Sequence, residues 1–435
     1  VKQTNQLTTR GTSDRWRLEG CAESGFSGAV VIPALAESAN LPHTLASLAC
    51  SPGELLARFL IVVVVNHRLD ASQEDQADNR ETLRWLATAG EHYPALKLAW
   101  VDAASPGNEL PLKGGGVGLA RKIGCDLALA RLHGSGNDSL LICLDADTTV
   151  RPDYLTAITA HFQQQRAGAA SLPYIHRPAA DPAGQAAIIR YELFLRAYVF
   201  GLELAGSPYA FHSVGSAMAC TAAAYGKIGG MNCRTAGEDF YFLQQMARTV
   251  GVAPLSGTVV YPSPRSSHRV PFGTGRTVSR LLAEGDSSFQ FYDPRCFMLL
   301  KCWLEIVRDN PAATSESVLQ LARHCSPVLG EYLELNNFPE VWEKLQRHNP
   351  QALRFQTAFH GWFDGLKTMK LIHHLTDRLY PRQEPQLALP PLLAAGGVEV
   401  TGDDSLTMLE QLRHLQLGND YENTTPHNQY NGSKQ

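Results

Sequence analysis

The sequence predicts an α/β protein: an open, mostly parallel sheet flanked by helices, followed by a helical C-terminal region. Three observations carry this reading. Four short runs rich in Val, Ile and Leu lie between residues 29 and 144, helical patterns separate them, and strand-like runs cease after about residue 281. Strands covered on both faces by helices read as continuous apolar runs rather than alternating ones, and these four do.

The elements follow in order. Residues 29–33 form the first strand, and Asn40-Leu41-Pro42 opens a helix over 40–49 with Asn40 at its cap. Residues 59–65, 96–101 and 140–144 are the next strands, and 79–90 and 118–132 the helices between them. The order βαβαβαβ calls for right-handed crossovers. Residues 153–166 continue as a helix started by Pro152. Residues 185–205 form a long amphipathic helix whose aromatics, Tyr191, Phe194, Tyr198 and Phe200, read mainly as core, with an acceptor pocket shared with 207–212 as the alternative. A small-residue stretch, 206–224, follows, and then a helix over 237–249. Residues 261–276, rich in Pro, Ser, Gly and Arg, read as a long loop, a feature that is usually functional or disordered. Further helices are expected near 297–307, 316–333, 339–347, 353–380 and 405–417, with a Pro/Leu/Ala-rich connector over 381–397. The expected division is an N-terminal extension (1–27), a sheet domain (28–276), a helical region (277–417) and a polar, disordered tail (418–435).

Composition narrows the classes of function. The 435 residues suffice for a large core, and a net charge of −4 gives no basic footprint for nucleic acid. The longest strongly apolar run, 59–65, is too short to span a bilayer, and residues 1–23 hold no signal-peptide core, so a soluble, cytoplasmic protein is expected. Nine cysteines without a Cys-x-x-Cys pair, several in apolar surroundings, favour buried thiols over disulfides or zinc.

Residues suited to chemistry fall in a few places. Leu140-Leu141-Ile142-Cys143-Leu144-Asp145-Ala146-Asp147 is a buried strand ending on two carboxylates. Ligands of open α/β sheets bind at that edge, and two hard oxygens there suit Mg²⁺ or Mn²⁺ held against phosphates. The alternative is a polar strand end with Asp147 capping the next turn. Arg121 and Lys122 lie near the start of the preceding helix, within reach of a diphosphate, or else as solvated helix charges. Val31-Ile32-Pro33-Ala34-Leu35-Ala36-Glu37 brings a carboxylate to the edge of the first strand. There it can accept hydrogen bonds from a ribose or base, or partner the next helix's dipole. Glu238 and Asp239 open a helix, as dipole partners or, for Asp239 by preference, as a general base toward a hydroxyl. His268, in the Gly/Pro loop, can complete a metal's coordination, with Arg269 and Arg276 as phosphate clamps. The pair His373-His374 reads as structural.

In their order these pieces resemble the family 2 glycosyltransferases and related enzymes of the GT-A fold. The matching segments are Val30-Val31-Ile32-Pro33 with Glu37, Gly118-Leu119-Ala120-Arg121-Lys122, Leu144-Asp145-Ala146-Asp147 as the Asp-x-Asp motif, and Gly237-Glu238-Asp239 as the Glu-Asp motif. The resemblance covers about 28–276. It implies a UDP- or GDP-sugar donor bound by Pro33, Ala34, Glu37, Asn66, Arg121, Asp145, Arg269 and Arg276, with base and ribose near Glu37. It also implies Mn²⁺ or Mg²⁺ on Asp145 and Asp147, His268 as a further metal ligand, and Asp239, beside Glu238, as the base of an inverting displacement. Where the family carries an Asp-rich turn after the second strand, this chain has Asn66-His67, and the Gln-x-x-Arg-Trp motif of processive membrane synthases is missing. The competing readings are a retaining GT-A enzyme acting on a small acceptor such as glycerate, a nucleotidyltransferase, and a nucleotide-sugar-binding protein without catalysis. A nucleotidyltransferase wants a Gly-rich basic loop where Pro33-Ala34-Leu35-Ala36-Glu37 stands. The glycines at 114–116 and 118 do not follow a strand directly, as a dinucleotide fingerprint would.

Overall fold

The computed structural model describes residues 15–133, 139–265, 273–285 and 289–418. They divide into two compact units, one made of the described residues up to 178 with those of 213–275 and 413–418, the other of those of 179–212 with 276–412.

The first unit is built on a sheet. Its strands are β1 (Glu19–Gly20), β2 (Gly28–Ala34), β3 (Phe59–Asn66), β4 (Lys97–Ala103), β5 (Leu140–Cys143), β6 (Thr149–Val150), β7 (Ala169–Ser171), β8 (Met218–Thr221), β9 (Val252–Pro254) and β10 (Val260–Tyr261). Eight of them lie in the order β1-β4-β3-β2-β5-β8-β7-β9, and β6 pairs with β10. The strands β4, β3, β2 and β5 are mutually parallel, β8 runs antiparallel to β5 and β7, and β1 is an antiparallel edge on β4. The four strands expected from sequence are β2 to β5, each within two residues of its expected ends. Every residue of β2 and β3 is buried, which is why both read as unbroken apolar runs. Successive strands step from β2 to β3 to β4, and the chain then returns to place β5 on the other side of β2. This reversal opens a crevice at the C-terminal ends of β2 and β5.

Caps rather than periodicity set several helix boundaries. The helix Gln73–His92 begins six residues before the apolar pattern does, because Ser72 accepts the Asp75 N–H and starts it on a polar turn. Asn40 precedes Leu41–Ala49 but makes no side-chain cap; its amide serves Glu37 instead. The helix Val117–Leu129 lies on β2 and β3 because Gly124 carries no side chain: a Cβ there would come 2.4 Å from Val31 Cγ1 and 2.9 Å from Val64 Cγ2. The expected loop over 261–276 also ends early, since Thr274–Glu284 is helical.

The second unit is helical. The helix Pro182–Leu204 joins Pro294–Asp309, Ser315–Cys325, Pro327–Leu335, Phe338–His348, Ala352–Trp362, Gly365–Arg378 and Pro385–Ala395 around a core that includes Trp303, Phe338, Trp342, Phe359 and Leu371. Phe194 and Tyr198 pack against this core through Phe291, Tyr292 and Phe297, as the core reading of that helix requires. Two helices expected to be single are broken where Ser326 and Asp364 start new ones, accepting from the Leu329 and Lys367 N–H groups. The connector expected over 381–397 holds the helix Pro385–Ala395 despite Pro390 and Pro391. The reading of the cysteines as free thiols is corrected for one pair, since Cys302 and Cys325 form a disulfide. Among the described residues no helix is long and apolar enough to cross a membrane.

The close approach at Gly124 has a measurable consequence. Gly124→Ala should lower stability by about 1–2 kcal/mol, overpacking outweighing the gain in helix propensity. Gly90→Ala, whose Cβ would meet nothing within 4 Å, should raise it. Urea unfolding midpoints moving the same way in both variants would refute the tight seat of this helix.

Candidate active site at the strand-order reversal

The crevice gathers its side chains from strand ends and helix starts. Beyond β2, Ala36 takes a left-handed backbone and its N–H is held by Asn79 Oδ1 at 2.9 Å. The turn delivers Glu37, nearly buried, whose Oε2 accepts from Asn40 Nδ2 at 2.9 Å and whose Oε1 accepts from Arg265 Nη2. Beyond β5 the turn with Asp145 and Asp147 is fixed from two sides. Thr44 Oγ1 donates to the Ala146 carbonyl at 2.8 Å, and the Thr148 N–H donates to the Asp145 carbonyl at 3.1 Å.

Each aspartate holds a guanidinium, and the two pairs differ in exposure. Arg121, from the helix Val117–Leu129, places Nη2 2.5 Å from Asp145 Oδ1 and Nε 3.1 Å from Glu238 Oε1, and its side chain is only 2% exposed. Burial, the largest influence on this group, pulls its pKa down; Asp145 and Glu238 more than reverse that, so it is held as a cation. Its Nη1 is buried with no protein partner. Arg265 places Nε 2.9 Å from Asp147 Oδ2 and spans to Glu37, with its side chain 31% exposed. Behind them Arg177 Nη2 donates to the Asp147 carbonyl at 2.9 Å, while its Nε is buried without a protein partner. Burial lowers the Arg177 pKa, and neighbouring Arg265 lowers it further against the pull of Asp147.

Glu238 and Asp239 open the helix Glu238–Thr249 after Gly237, whose left-handed φ of 68° suits glycine. Glu238 is buried and committed to Arg121. Asp239 is half-buried, and its Oδ1 accepts the Phe240 N–H at 2.7 Å. Burial first, and then the charge of Glu238, push its pKa up to about 7, against the opposing pull of that hydrogen bond and of Arg121.

The structure brings Glu37, Asp145, Asp147, Arg121, Glu238 and Asp239 into the first unit's crevice and its wall. It puts Pro33 and Ala34 inside β2, buried. Asn66 is buried too, and its amide is spent on the backbone: Nδ2 donates to the Ala34 carbonyl at 3.2 Å and to the Val64 carbonyl at 3.0 Å, tying the ends of β2 and β3 together. Lys122 pairs with Asp126 at 2.8 Å one turn along its own helix, and with side chains only 13% and 5% exposed the pair is a buried one rather than the solvated charge of the alternative reading. Arg276 is exposed, on the helix Thr274–Glu284, and falls in the second unit rather than the first. His268 and Arg269 lie outside the described residues. Sequence reading missed Arg177 and Arg265. Arg265 does stand in the Arg-containing loop, three residues before the chosen histidine.

Among the described residues no three His, Cys, Asp or Glu side chains converge. Asp145 and Asp147 do offer two hard carboxylates. Asp145 accepts from Arg121 through Oδ1, and its Oδ2 borders the space left by Gly215, whose Cβ would sit 3.6 Å from it and 2.4 Å from Arg121 Nη2. That set fits Mg²⁺ or Mn²⁺, which commonly take one or two protein carboxylates and complete their shell with substrate phosphates and water.

The sheet reverses its order between β2 and β5 and carries an Asp-x-Asp and a Glu-Asp motif at the reversal. Residues 140–280 match the family model for glycosyl transferase family group 2. That match covers about a third of the chain, the part from β5 through the Glu-Asp motif. No curated protein matches it. Among solved structures it is similar to S. aureus TarS 1–349 in complex with UDP-GlcNAc: 14% identity over 74% of this chain and 92% of that one, TM-score 0.38. It is also similar to the mannosyltransferase PcManGT from Pyrobaculum calidifontis in complex with GDP-Man and Mn²⁺: 15% identity over 91% of this chain and 92% of that one, TM-score 0.37. Likenesses at this level say nothing of donor or acceptor here.

Removing the buried cation tests the wall of the site. Arg121→Gln leaves Asp145 and Glu238 without their charge partner and should cost about 3–5 kcal/mol of unfolding free energy. A loss below about 1 kcal/mol, the range of an exposed pair, would contradict the buried placement.

Proposed function

We propose that this chain transfers a sugar from a nucleotide-diphospho-sugar to an acceptor hydroxyl, with inversion at the anomeric carbon and a divalent metal on Asp145 and Asp147. The observation that carries the reading is the placement of Asp239, at the start of the helix Glu238–Thr249 and one residue from the glutamate that shares Arg121 with Asp145; burial and Glu238 push its pKa up to about 7. A base of that pKa is neutral enough to tolerate its half-buried seat and still takes a proton near pH 7.

In the proposed reaction the acceptor hydroxyl attacks the anomeric carbon, its proton passes to Asp239, and the anomeric C–O bond to the diphosphate breaks. When bound, the metal neutralises charge building on the leaving diphosphate. Glu37 accepts hydrogen bonds from the donor's ribose or base, for which its place at the end of β2 is suited. Arg121 acts as a positioning residue, fixing Asp145 to Glu238 and so to the start of the helix that carries Asp239. His268 is the sequence's candidate for a third metal ligand, and Arg269 for a phosphate contact.

Two outcomes are expected. Mn²⁺ or Mg²⁺ should tighten binding of UDP or GDP in a thermal-shift screen, and Asp147→Ala should remove that dependence; metal-independent binding unchanged by the variant would count against the site. For the base, kcat/KM should fall about tenfold per pH unit below pH 7, because the raised pKa leaves Asp239 protonated there. Asp239→Asn should lose about 10²–10⁴-fold in kcat. Anomeric NMR showing a product of retained configuration would remove Asp239 from the role of base.

A further inference from the structure

We propose that Arg265 is an exchangeable internal cation: it holds the places of donor and metal in the free protein and leaves both together when they bind, making metal and diphosphate binding mutually dependent. This rests on the reading of Asp145 and Asp147 as metal ligands.

The contrast between two arginines supports it. Arg121 is 2% exposed between two carboxylates, so it has nowhere to go without stranding a buried charge. Arg265 is 31% exposed, and its two contacts are the groups a donor complex would need: Glu37 Oε1 at the end of β2 and Asp147 Oδ2 beyond β5. The guanidinium therefore lies across the mouth of the strand-order reversal. Glu37 keeps its Asn40 contact if Arg265 leaves, and a ribose hydroxyl can take over the bond that Arg265 gives up. Asp147 can accept a divalent cation in exchange for the guanidinium on its Oδ2. Arg177, held on the Asp147 carbonyl, adds a second positive charge beside Arg265 and makes its seat easier to give up. Released, Arg265 remains within the crevice as a cation for the diphosphate. A metal arriving alone must displace Arg265 with no anion to receive it; a metal arriving with diphosphate need not. Linkage then requires each to tighten the other by the same factor.

The test uses the full chain, with Mn²⁺ and inorganic pyrophosphate as probes, because pyrophosphate is independent of the unknown base. Mn²⁺ affinity is read by electron paramagnetic resonance. Arg265→Gln should bind Mn²⁺ alone about tenfold more tightly than the parent, and the tightening of Mn²⁺ by pyrophosphate should shrink by a similar factor, within the range of ordinary coupling. Arg265→Lys, which keeps a charge but cannot span both carboxylates, should fall between and serves if the glutamine variant does not fold. Equal Mn²⁺ affinity and equal pyrophosphate coupling in parent and variants overturn the exchange. Asp147→Asn separates the two readings. If it loses Mn²⁺ while the Arg265 variants match the parent, the exchange alone fails; if it binds Mn²⁺ as the parent does, the metal site fails and the exchange with it.

Discussion

The ion pair network of Arg121 is the constraint on which the site depends. A guanidinium taken almost wholly out of water must be matched by carboxylates at hydrogen-bond distance, and here Asp145 and Glu238 supply them from two separate stretches of the first unit. The match sets three positions at once: the turn after β5, the start of the helix Glu238–Thr249, and the helix Val117–Leu129 that carries Arg121. Two glycines make it possible. Gly124 lets that helix close on β2 and β3, and Gly215 leaves room for Nη2. Asp239 inherits its place from this arrangement, and with it the neighbouring charge that helps raise its pKa.

The parts of this molecule that were legible from sequence are those whose physics is local. β2 to β5 announce themselves because strands buried on both faces need continuous Val, Ile and Leu, and the two acidic motifs stand out because carboxylates at such ends are chemically conspicuous. By contrast, β7 and β9 are three residues long and β8 four, built largely of Ala, Ser, Cys and other residues with no usable period. Ser326 and Asp364 look like ordinary polar residues inside helical stretches until their side chains are seen to cap. Asn66 was conspicuous as a departure from a family pattern, but its amide is spent holding two strand ends. Arg265 was illegible for a different reason: its partner Glu37 lies 228 residues away in the chain, and no spacing rule connects them.

Charge in the crevice is unevenly divided. Among the described residues, five carboxylates (Glu37, Asp145, Asp147, Glu238, Asp239) stand against three guanidinium groups (Arg121, Arg177, Arg265). Asp239 relieves part of the excess by holding its proton to higher pH than a free aspartate would. An acidic set of this kind is what the proposed divalent cation and its diphosphate would meet. The buried part of the set gives rigidity and the exposed part gives exchange. Such a division lets one cluster both hold a fold and handle a charged ligand.

The ends of the sheet carry a consequence of their own. A long exposed edge strand is a template on which a second copy of the chain can add, backbone to backbone. This sheet ends on β1, two residues long, and on β9, three residues long and closed by Pro254, which has no N–H to donate. The long, strongly apolar strands β2 and β3 are shut inside it. At these two ends the sheet therefore offers a second copy a shorter template than its inner strands would.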